Sequence, residues 1–507
     1  MKKGCVFFSG NYNTQVSSMS STSSTLLPLW KDFSYFTHQE DGIRWMLEKE
    51  KAGTEVPTRD GKDVVVVRGG FQCDDMGLGK TIQIVATMAN HVKKSTLLIA
   101  PLAMIETWAE VCQRAGMKVY EVVKGEWVVR VVPYGEGAIP RHFMKCRPTV
   151  YISNYEKLYH SFSLFSKAWD RVVLDEAHKI RNGSGQVAVY ARKVIAPIRW
   201  VVTGTPLVNS PKDVVSLLGF VGVPVSPLWS WEVRLNDILP QLVLHRSLNS
   251  LRAVIKGAPP IPEIHQDVLP FSTEDEDDFY HGIQSATESM MAKYGGEHLS
   301  PFETFKLLLR LRQISVHPQV YINAKRRETP TYARKNWTAA STKVERVKNI
   351  IKQDTTDKVH KYIIFCQFID EMALMRESLL EMVKDENILM YHGGMNQAER
   401  TAVLATSKKT TETTVMLLQL QAGGVGLNLQ EYDRIIFISP WWTAALMDQA
   451  IARAVRMGQT EVVKVYHLQL AAEKEATINI DTMINAKASE KRKMLENMFL
   501  MCENYSS

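Results

Sequence analysis

Short apolar runs alternate along this chain with longer stretches whose apolar side chains return every three to four positions. VVVV at Val64–Val67, then TLLIAPL, VVLDEA and WVVTGTP, read as buried strands. The stretches between them, such as TIQIVATMANHV from Thr81, have helical spacing. Such alternation predicts an α/β fold with a mostly parallel sheet covered by helices. A Pro-rich break, KGAPPIPEIH at Lys256–His265, interrupts the series. A second series follows with KYIIFCQF at Lys361–Phe368, TTVMLLQL, RIIFISP and VVKVYHLQL. The pattern therefore predicts two parallel-sheet lobes, a division that 507 residues also favour, since so long a chain exceeds one core.

The remaining segments complete the expected layout. SSMSSTSST at Ser17–Thr25 lacks the hydrophobicity to order itself, so residues 1–29 read as a disordered tail and 30–250 as lobe 1. Residues 251–270 read as a Pro-rich connector. Residues 271–340 read as a helical lead-in, opened by Ser272 as an N-cap with acids at Glu274–Asp278 that complement the helix dipole. LLLRLRQISVHP within it predicts an amphipathic helix stopped by Pro318. Lobe 2 is expected over 341–490, and 491–507 as a C-terminal helix and tail. The charged amphipathic pattern from Ala472 to Met498 predicts a helix packed back on lobe 2.

Two strings carry chemistry. In DDMGLGKT, Asp74–Thr81, Gly77 and Gly79 permit a tight turn whose backbone N–H groups, from Asp75, Met76, Gly77, Leu78 and Gly79, can face phosphate oxygens at a helix N-terminus. Lys80 suits the β and γ phosphates, and the Thr81 hydroxyl suits Mg²⁺. The general phosphate-loop formula has Gly where this chain has Asp74. In RVVLDEAH a buried strand ends in Asp175 and Glu176, at the sheet edge where open α/β folds present ligands. Asp175 suits a metal and Glu176 suits the attacking water. In DQAIARAVRMGQ, Gln449, Arg453 and Arg456 are spaced to share one helix face.

With VVTGTP at Val201–Pro206, LLQLQAGGVGLNLQ at Leu417–Gln430 and SPWWTAALMDQAIARAVRMGQ at Ser439–Gln459, these strings stand in one order. In that order the chain resembles the Swi/Snf-type ATPases of helicase superfamily two, from about Phe33 to about Ala486. The wording of DDMGLGKT, LRLRQISVHP and AGGVGLNL is similar to the subgroup of Rad-type repair translocases and transcription-termination-factor ATPases. The resemblance implies two RecA-like lobes, ATP and Mg²⁺ as cofactors, and a DNA-stimulated ATP hydrolase. It implies that Lys80, Asp175 and Glu176 act with Arg453 and Arg456, the arginines reaching across the cleft, and that Gly426 and Gln449 line the nucleotide site. It implies coupling roles for His178, Thr203, Gly204 and Thr205. Gln39, in YFTHQEDGIRWML, takes the position expected to read the adenine edge. DNA contact is implied at Pro101, at Ser153, Asn154 and Tyr155, at His392 and Gly393, at Gly423 and Gly424, and at Trp442. The family's usual acid and histidine beside the two arginines are replaced by Ala452 and Val455, which leaves both arginines in place.

Composition narrows this reading. The balance of 61 basic against 54 acidic residues, net +7, is compatible with a polyanionic partner without specifying one. Cys5, Cys73, Cys112, Cys146, Cys366 and Cys502 form no CxxC pair, which argues against a zinc ribbon, a RING insertion or a disulfide framework. No apolar run is long enough to span a bilayer. The expectation is a soluble, intracellular, monomeric bare motor, nuclear in a eukaryote and cytoplasmic in a bacterium or cytoplasmic virus. Its expected partners are double-stranded DNA and DNA-bound proteins, and the expected activity is translocation that remodels or displaces them. A strand-separating DNA or RNA helicase is the alternative.

Overall fold

A computed structural model describes residues 25–58, 62–130, 147–225, 231–293, 300–354, 358–423, 427–472 and 479–503. Lobe 1 carries a nine-stranded sheet built from Thr54–Pro57 (β1), Val64–Gln72 (β2), Thr96–Ala100 (β3), Lys118–Val123 (β4), Glu126–Val129 (β5), Thr149–Asn154 (β6), Arg171–Asp175 (β7), Ile198–Val202 (β8) and Val243–Leu244 (β9). Its order is β1-β2-β8-β7-β3-β6-β4-β5, with β9 also on β2. Only the pairs β1 with β2 and β4 with β5 are antiparallel. The central strands β3 and β7 are buried at every position, as their apolar centres Leu97–Ala100 and Val172–Leu174 require between two helical layers.

Register decides where the chemistry falls. Val202, at the end of β8, pairs with Gln72 on one side and Asp175 on the other. The loops that follow β2, β8 and β7, which hold DDMGLGKT, TGTP and DEAH, therefore leave the sheet at one level and converge on its carboxyl edge.

Lobe 2 is an all-parallel six-stranded sheet of Glu263–Leu269 (β10), Lys361–Cys366 (β11), Ile388–Tyr391 (β12), Thr414–Gln419 (β13), Arg434–Phe437 (β14) and Lys464–Leu470 (β15), ordered β10-β15-β14-β11-β13-β12. The helices Glu274–Lys293, Pro301–Val316 and Pro318–Glu328 lie between β10 and β11 in sequence. No helix among the described residues is long and apolar enough to cross a membrane.

Three segments depart from the sequence reading. The part of the expected tail that is described is packed: Leu29 is fully buried, Leu26 nearly so, and Tyr35 donates to the Leu27 carbonyl at 2.7 Å. The expected connector ends early, because β10 lies inside 251–270 and pairs with β15 along its whole length. Its half-exposed alternation hid it beside the prolines. The C-terminal helix, Ile480–Glu503, does not belong to lobe 2 alone. Ile480 and Ile484 pack there, and Asp481 forms a buried 2.6 Å ion pair with Lys343. Met498, Phe499 and Cys502 enter the core of lobe 1, and the Phe499 ring stacks on His245 with centroids 3.5 Å apart. One helix thus ties the two lobes.

Candidate nucleotide site

The Asp74–Thr81 loop joins β2 to the helix Lys80–Asn90. Gly77 and Gly79 have φ of 87° and 81°, the left-handed region where glycine is unstrained. A Cβ on Gly79 would lie 2.4 Å from Gln39 Nε2, so the close approach of that side chain also requires glycine. Lys80 Nζ donates to the carbonyls of Asp74 at 2.7 Å and Asp75 at 3.3 Å, which curls the ammonium into its own loop.

Asp74, the departure from the general formula, is fully buried and anchors the loop from beneath. Its carboxylate accepts from Arg246 Nε at 2.9 Å and Nη2 at 2.5 Å, Gln72 Nε2 at 2.9 Å and Gln83 Nε2 at 3.0 Å. Backbone bonds from Cys73 N–H to the Leu244 carbonyl and Asp75 N–H to the Arg246 carbonyl lay β9 and its continuation along the loop. Sequence reasoning missed Arg246, which lies 172 residues from Asp74 in a segment with no motif signal. Arg246→Met is expected to destabilise lobe 1 by about 3–5 kcal/mol, since it strands a buried carboxylate, and to weaken nucleotide binding with it. Urea unfolding and ADP titration measure both, and an unchanged midpoint would show that Asp74 does not need its partner.

Gln39 lies in the first turn of the helix Thr37–Lys51. Its carbonyl accepts from Phe36 N–H at 3.2 Å, and its amide donates to the Leu78 carbonyl at 3.3 Å. One donor hydrogen and one lone pair remain for an adenine edge. The Asp75 carboxylate accepts from Leu248 N–H at 2.9 Å and thus faces the connector. Beside it a cavity of about 600 Å³, lined by Met76, Thr205, Asp448, Arg492 and Phe499, opens between the lobes under the C-terminal helix.

At the end of β7 the two carboxyls are pushed apart. Burial and the neighbouring Glu176 charge push Asp175 up to about 7. Burial also opposes ionisation of Glu176, but His178, Lys80 and Arg453 outweigh it and hold that carboxyl below its ordinary range. Glu176 has φ 47°, an unusual conformation outside glycine. Its Oε2 is shielded from solvent and takes no hydrogen bond, lying 3.3 Å from His178 Nδ1. Asp175 Oδ2 accepts from the Trp108 indole at 2.7 Å, and Oδ1 from Glu176 N–H at 3.0 Å. Among the described residues no three His, Cys, Asp or Glu side chains converge as a metal cluster. A Mg²⁺ held by Asp175, Thr81, water and phosphate oxygens needs none, and the Asp175 carboxylate, without a contacting cation, fits that use.

His178, Thr203, Gly204 and Thr205 lie close together. His178 Nδ1 lies 3.5 Å from Thr203 Oγ1, which accepts from Thr205 N–H at 3.1 Å. A Cβ on Gly204 would sit 3.7 Å from Lys80 Nζ. The TGT turn therefore touches both the DEAH strand and the phosphate-loop lysine.

From lobe 2, Arg453 reaches the site, its charge acting on Glu176 and Asp175. The shared helix face was the wrong basis for this. The helix Ala444–Ile451 holds Gln449, buried, but ends before either arginine. Arg453 and Arg456 lie in the turns after it, where the Arg453 carbonyl accepts from Leu429 N–H at 3.1 Å. Arg456 Nη1 donates to the Leu427 carbonyl at 3.4 Å. Gly424 and Gly426 lie outside the described residues, and Gly423 ends the short helix Leu420–Gly423.

Several expected DNA contacts are corrected. Tyr155 is buried, and its hydroxyl donates to the Asp175 carbonyl at 2.6 Å, so the side chain serves the DEAH strand. Ser153 and Asn154 are also buried, and Asn154 caps the helix Tyr155–His160 through Lys157 N–H at 2.9 Å. Pro101 is buried while Leu102 beside it is 69% exposed. Gly393 is exposed, and its N–H donates to Gln419 Oε1 at 3.0 Å. The His392 carbonyl and the Gly393 carbonyl receive Arg400. Trp442 packs against the helical cluster of lobe 2.

Two parallel-sheet lobes, with a phosphate loop and paired carboxyls on one and an arginine presented by the other, define a two-lobed ATPase core. The SNF2-related domain matches residues 38–320, and the helicase conserved C-terminal domain matches residues 342–458. The chain belongs to the SNF2-related family, the Swi/Snf-type ATPases of helicase superfamily two, and is an ATP hydrolase. It is similar to the "Probable global transactivator" of Orgyia pseudotsugata multicapsid polyhedrosis virus, 27% identical over 91% of either chain. It is also similar to chromatin remodeling factor mit1 of Schizosaccharomyces pombe, 26% identical over 78% of this chain, and to DNA repair protein RAD5B of Arabidopsis thaliana, 23% identical over 87%. The chain spans 29% and 46% of the length of those two relatives. Among solved structures, the Sulfolobus solfataricus SWI2/SNF2 ATPase core in complex with dsDNA covers 94% of this chain and 98% of its own, at TM-score 0.39 and 19% identity.

Proposed function

We propose that this ATPase translocates on double-stranded DNA and uses the motion to displace or remodel bound proteins. The observation that carries the reading is Arg453, supplied by lobe 2 into the field of Glu176 and Asp175 on lobe 1. Hydrolysis assisted from the second lobe depends on how the lobes sit, so each turnover is tied to their relative movement. The backbone N–H groups of Met76, Gly77 and Gly79 with Lys80 would hold the phosphates, the Asp75 N–H being spent on the Arg246 carbonyl, and Asp175 and Thr81 would hold Mg²⁺, which would supply charge neutralisation on them. Glu176 orients the attacking water and takes its proton. Chain near Leu102 on lobe 1 and Gly393 on lobe 2 meets the DNA backbone, a contact that is insensitive to sequence and weakened by salt. The names of the chromatin-remodelling and repair relatives support the same direction.

The test is ATP turnover without nucleic acid and with single-stranded DNA, duplex DNA or duplex RNA, at one salt concentration. Stimulation by duplex DNA above the others is expected. Preference for single strands or RNA would replace the reading with a strand-separating helicase.

A further inference from the structure

We infer that Trp108 and Tyr155 are positioning residues for Asp175, the indole fixing its carboxylate and the phenol fixing the peptide carbonyl behind it. Through them, displacement of the segments that carry them reaches the carboxylate. This rests on the reading of Asp175 as the metal-side carboxylate.

Each polar atom of Asp175 that could drift is tied. Oδ2 takes the Trp108 N–H at 2.7 Å, Oδ1 takes the Glu176 N–H at 3.0 Å, and the carbonyl takes the Tyr155 hydroxyl at 2.6 Å. The last bond sits where the backbone turns from β7 into the left-handed Glu176, a conformation that only a constraining environment maintains. Both donors are buried. Asp175 thus keeps one orientation towards the cleft with lone pairs to spare.

Buried indoles commonly find an acceptor, so the contrast with a second one matters. Trp200 also donates to a buried carboxylate, Glu50, at 2.9 Å, but there Arg171 Nε adds a 2.6 Å bond and neutralises the charge. Among the described residues no basic side chain forms such a pair with Asp175, so Trp108 holds a carboxylate that has no contact ion pair of its own. The carriers are placed to respond to a ligand. The helix Ile105–Arg114, which holds Trp108, continues from the turn at exposed Leu102, and Tyr155 opens the helix after β6. β3 lies between β7 and β6, so both carriers leave strands at the same sheet edge as Asp175.

The test uses binding rather than turnover. ADP affinity is measured by calorimetry with Mg²⁺ and with chelator, which gives the gain that Mg²⁺ confers. Trp108→Phe, which keeps a ring and removes the N–H, is expected to cut that gain about 10-fold, the scale of one hydrogen bond to a charged group. Tyr155→Phe should cut it less. Trp200→Phe makes the same chemical deletion elsewhere in the lobe, and it should lower the thermal midpoint but leave the gain at the wild-type value. A wild-type gain in both Trp108→Phe and Tyr155→Phe overturns the inference, and Tyr155→Phe decides if Trp108→Phe does not fold. Asp175→Asn separates the two levels. If it keeps the gain, the metal reading has failed; if it abolishes the gain while the aromatic variants do not alter it, only the positioning inference has failed. Duplex DNA is expected to change the gain in the wild type and not in a variant that combines Trp108→Phe with Tyr155→Phe, and an equal response in both overturns the transmission.

Discussion

Glu176→Gln is expected to lower single-turnover ATP hydrolysis by about 10²–10⁴-fold while ATP still binds, because the substitution keeps the shape of the side chain and removes its ability to take a proton. The site is arranged around an ionised carboxylate here. Burial alone would protonate Glu176, and His178, Lys80 and Arg453 reverse that, so the group stays charged near neutral pH. Its Oε2 lies 3.3 Å from His178 Nδ1, so the imidazole holds the carboxylate at the end of β7. Asp175, one residue away, has both carboxyl oxygens engaged, by the Trp108 indole and by Glu176 N–H, so Glu176 is the freer of the two to meet a water. Binding of a fluorescent ATP analogue, measured beside hydrolysis, separates the two effects. Normal hydrolysis in the variant would remove Glu176 from the role of base, whereas lost binding would assign it to the nucleotide pocket instead.

Arg453→Ala is expected to lower the rate by about 10³–10⁵-fold, the range found when an arginine finger is removed. Arg456→Ala should cost less. Sequence treats the two arginines alike, but only Arg453 lies in the field of Asp175 and Glu176, while Arg456 donates to the Leu427 carbonyl and braces its own lobe. Arg453→Lys should recover little, since an ammonium lacks the planar fork that can bridge two phosphate oxygens. Single-turnover rates of the three variants check this order. Equal losses at both positions would mean that the lobes close further than the present arrangement, and a normal rate in Arg453→Ala would place the charge compensation elsewhere.

The local chemistry was legible because it is written in contiguous strings. Gly77, Gly79, Lys80 and the pair Asp175–Glu176 each sit within a few residues of the strand end that presents them. Unbroken apolar runs such as Val172–Leu174, in the middle of β7, announced buried parallel strands, since burial on both faces leaves no polar alternation. β10 was lost because its residues are half exposed and follow prolines. The burial of the Ser153, Asn154 and Tyr155 side chains was hidden for a related reason: a polar residue at a strand end looks alike whether it faces solvent or turns inward.

By itself, then, the sequence determined two α/β lobes, the phosphate loop, the paired carboxyls and the family. Tertiary structure alone decided which distant groups complete them: Arg246 under Asp74, Trp108 on Asp175, and Phe499 stacked on His245. Periodicity and motif spacing report on neighbours within a few residues. These partners are chosen by strand order and register, which bring β2, β8 and β7 side by side, and by a terminal helix that crosses between lobes, and neither leaves a mark on the local pattern.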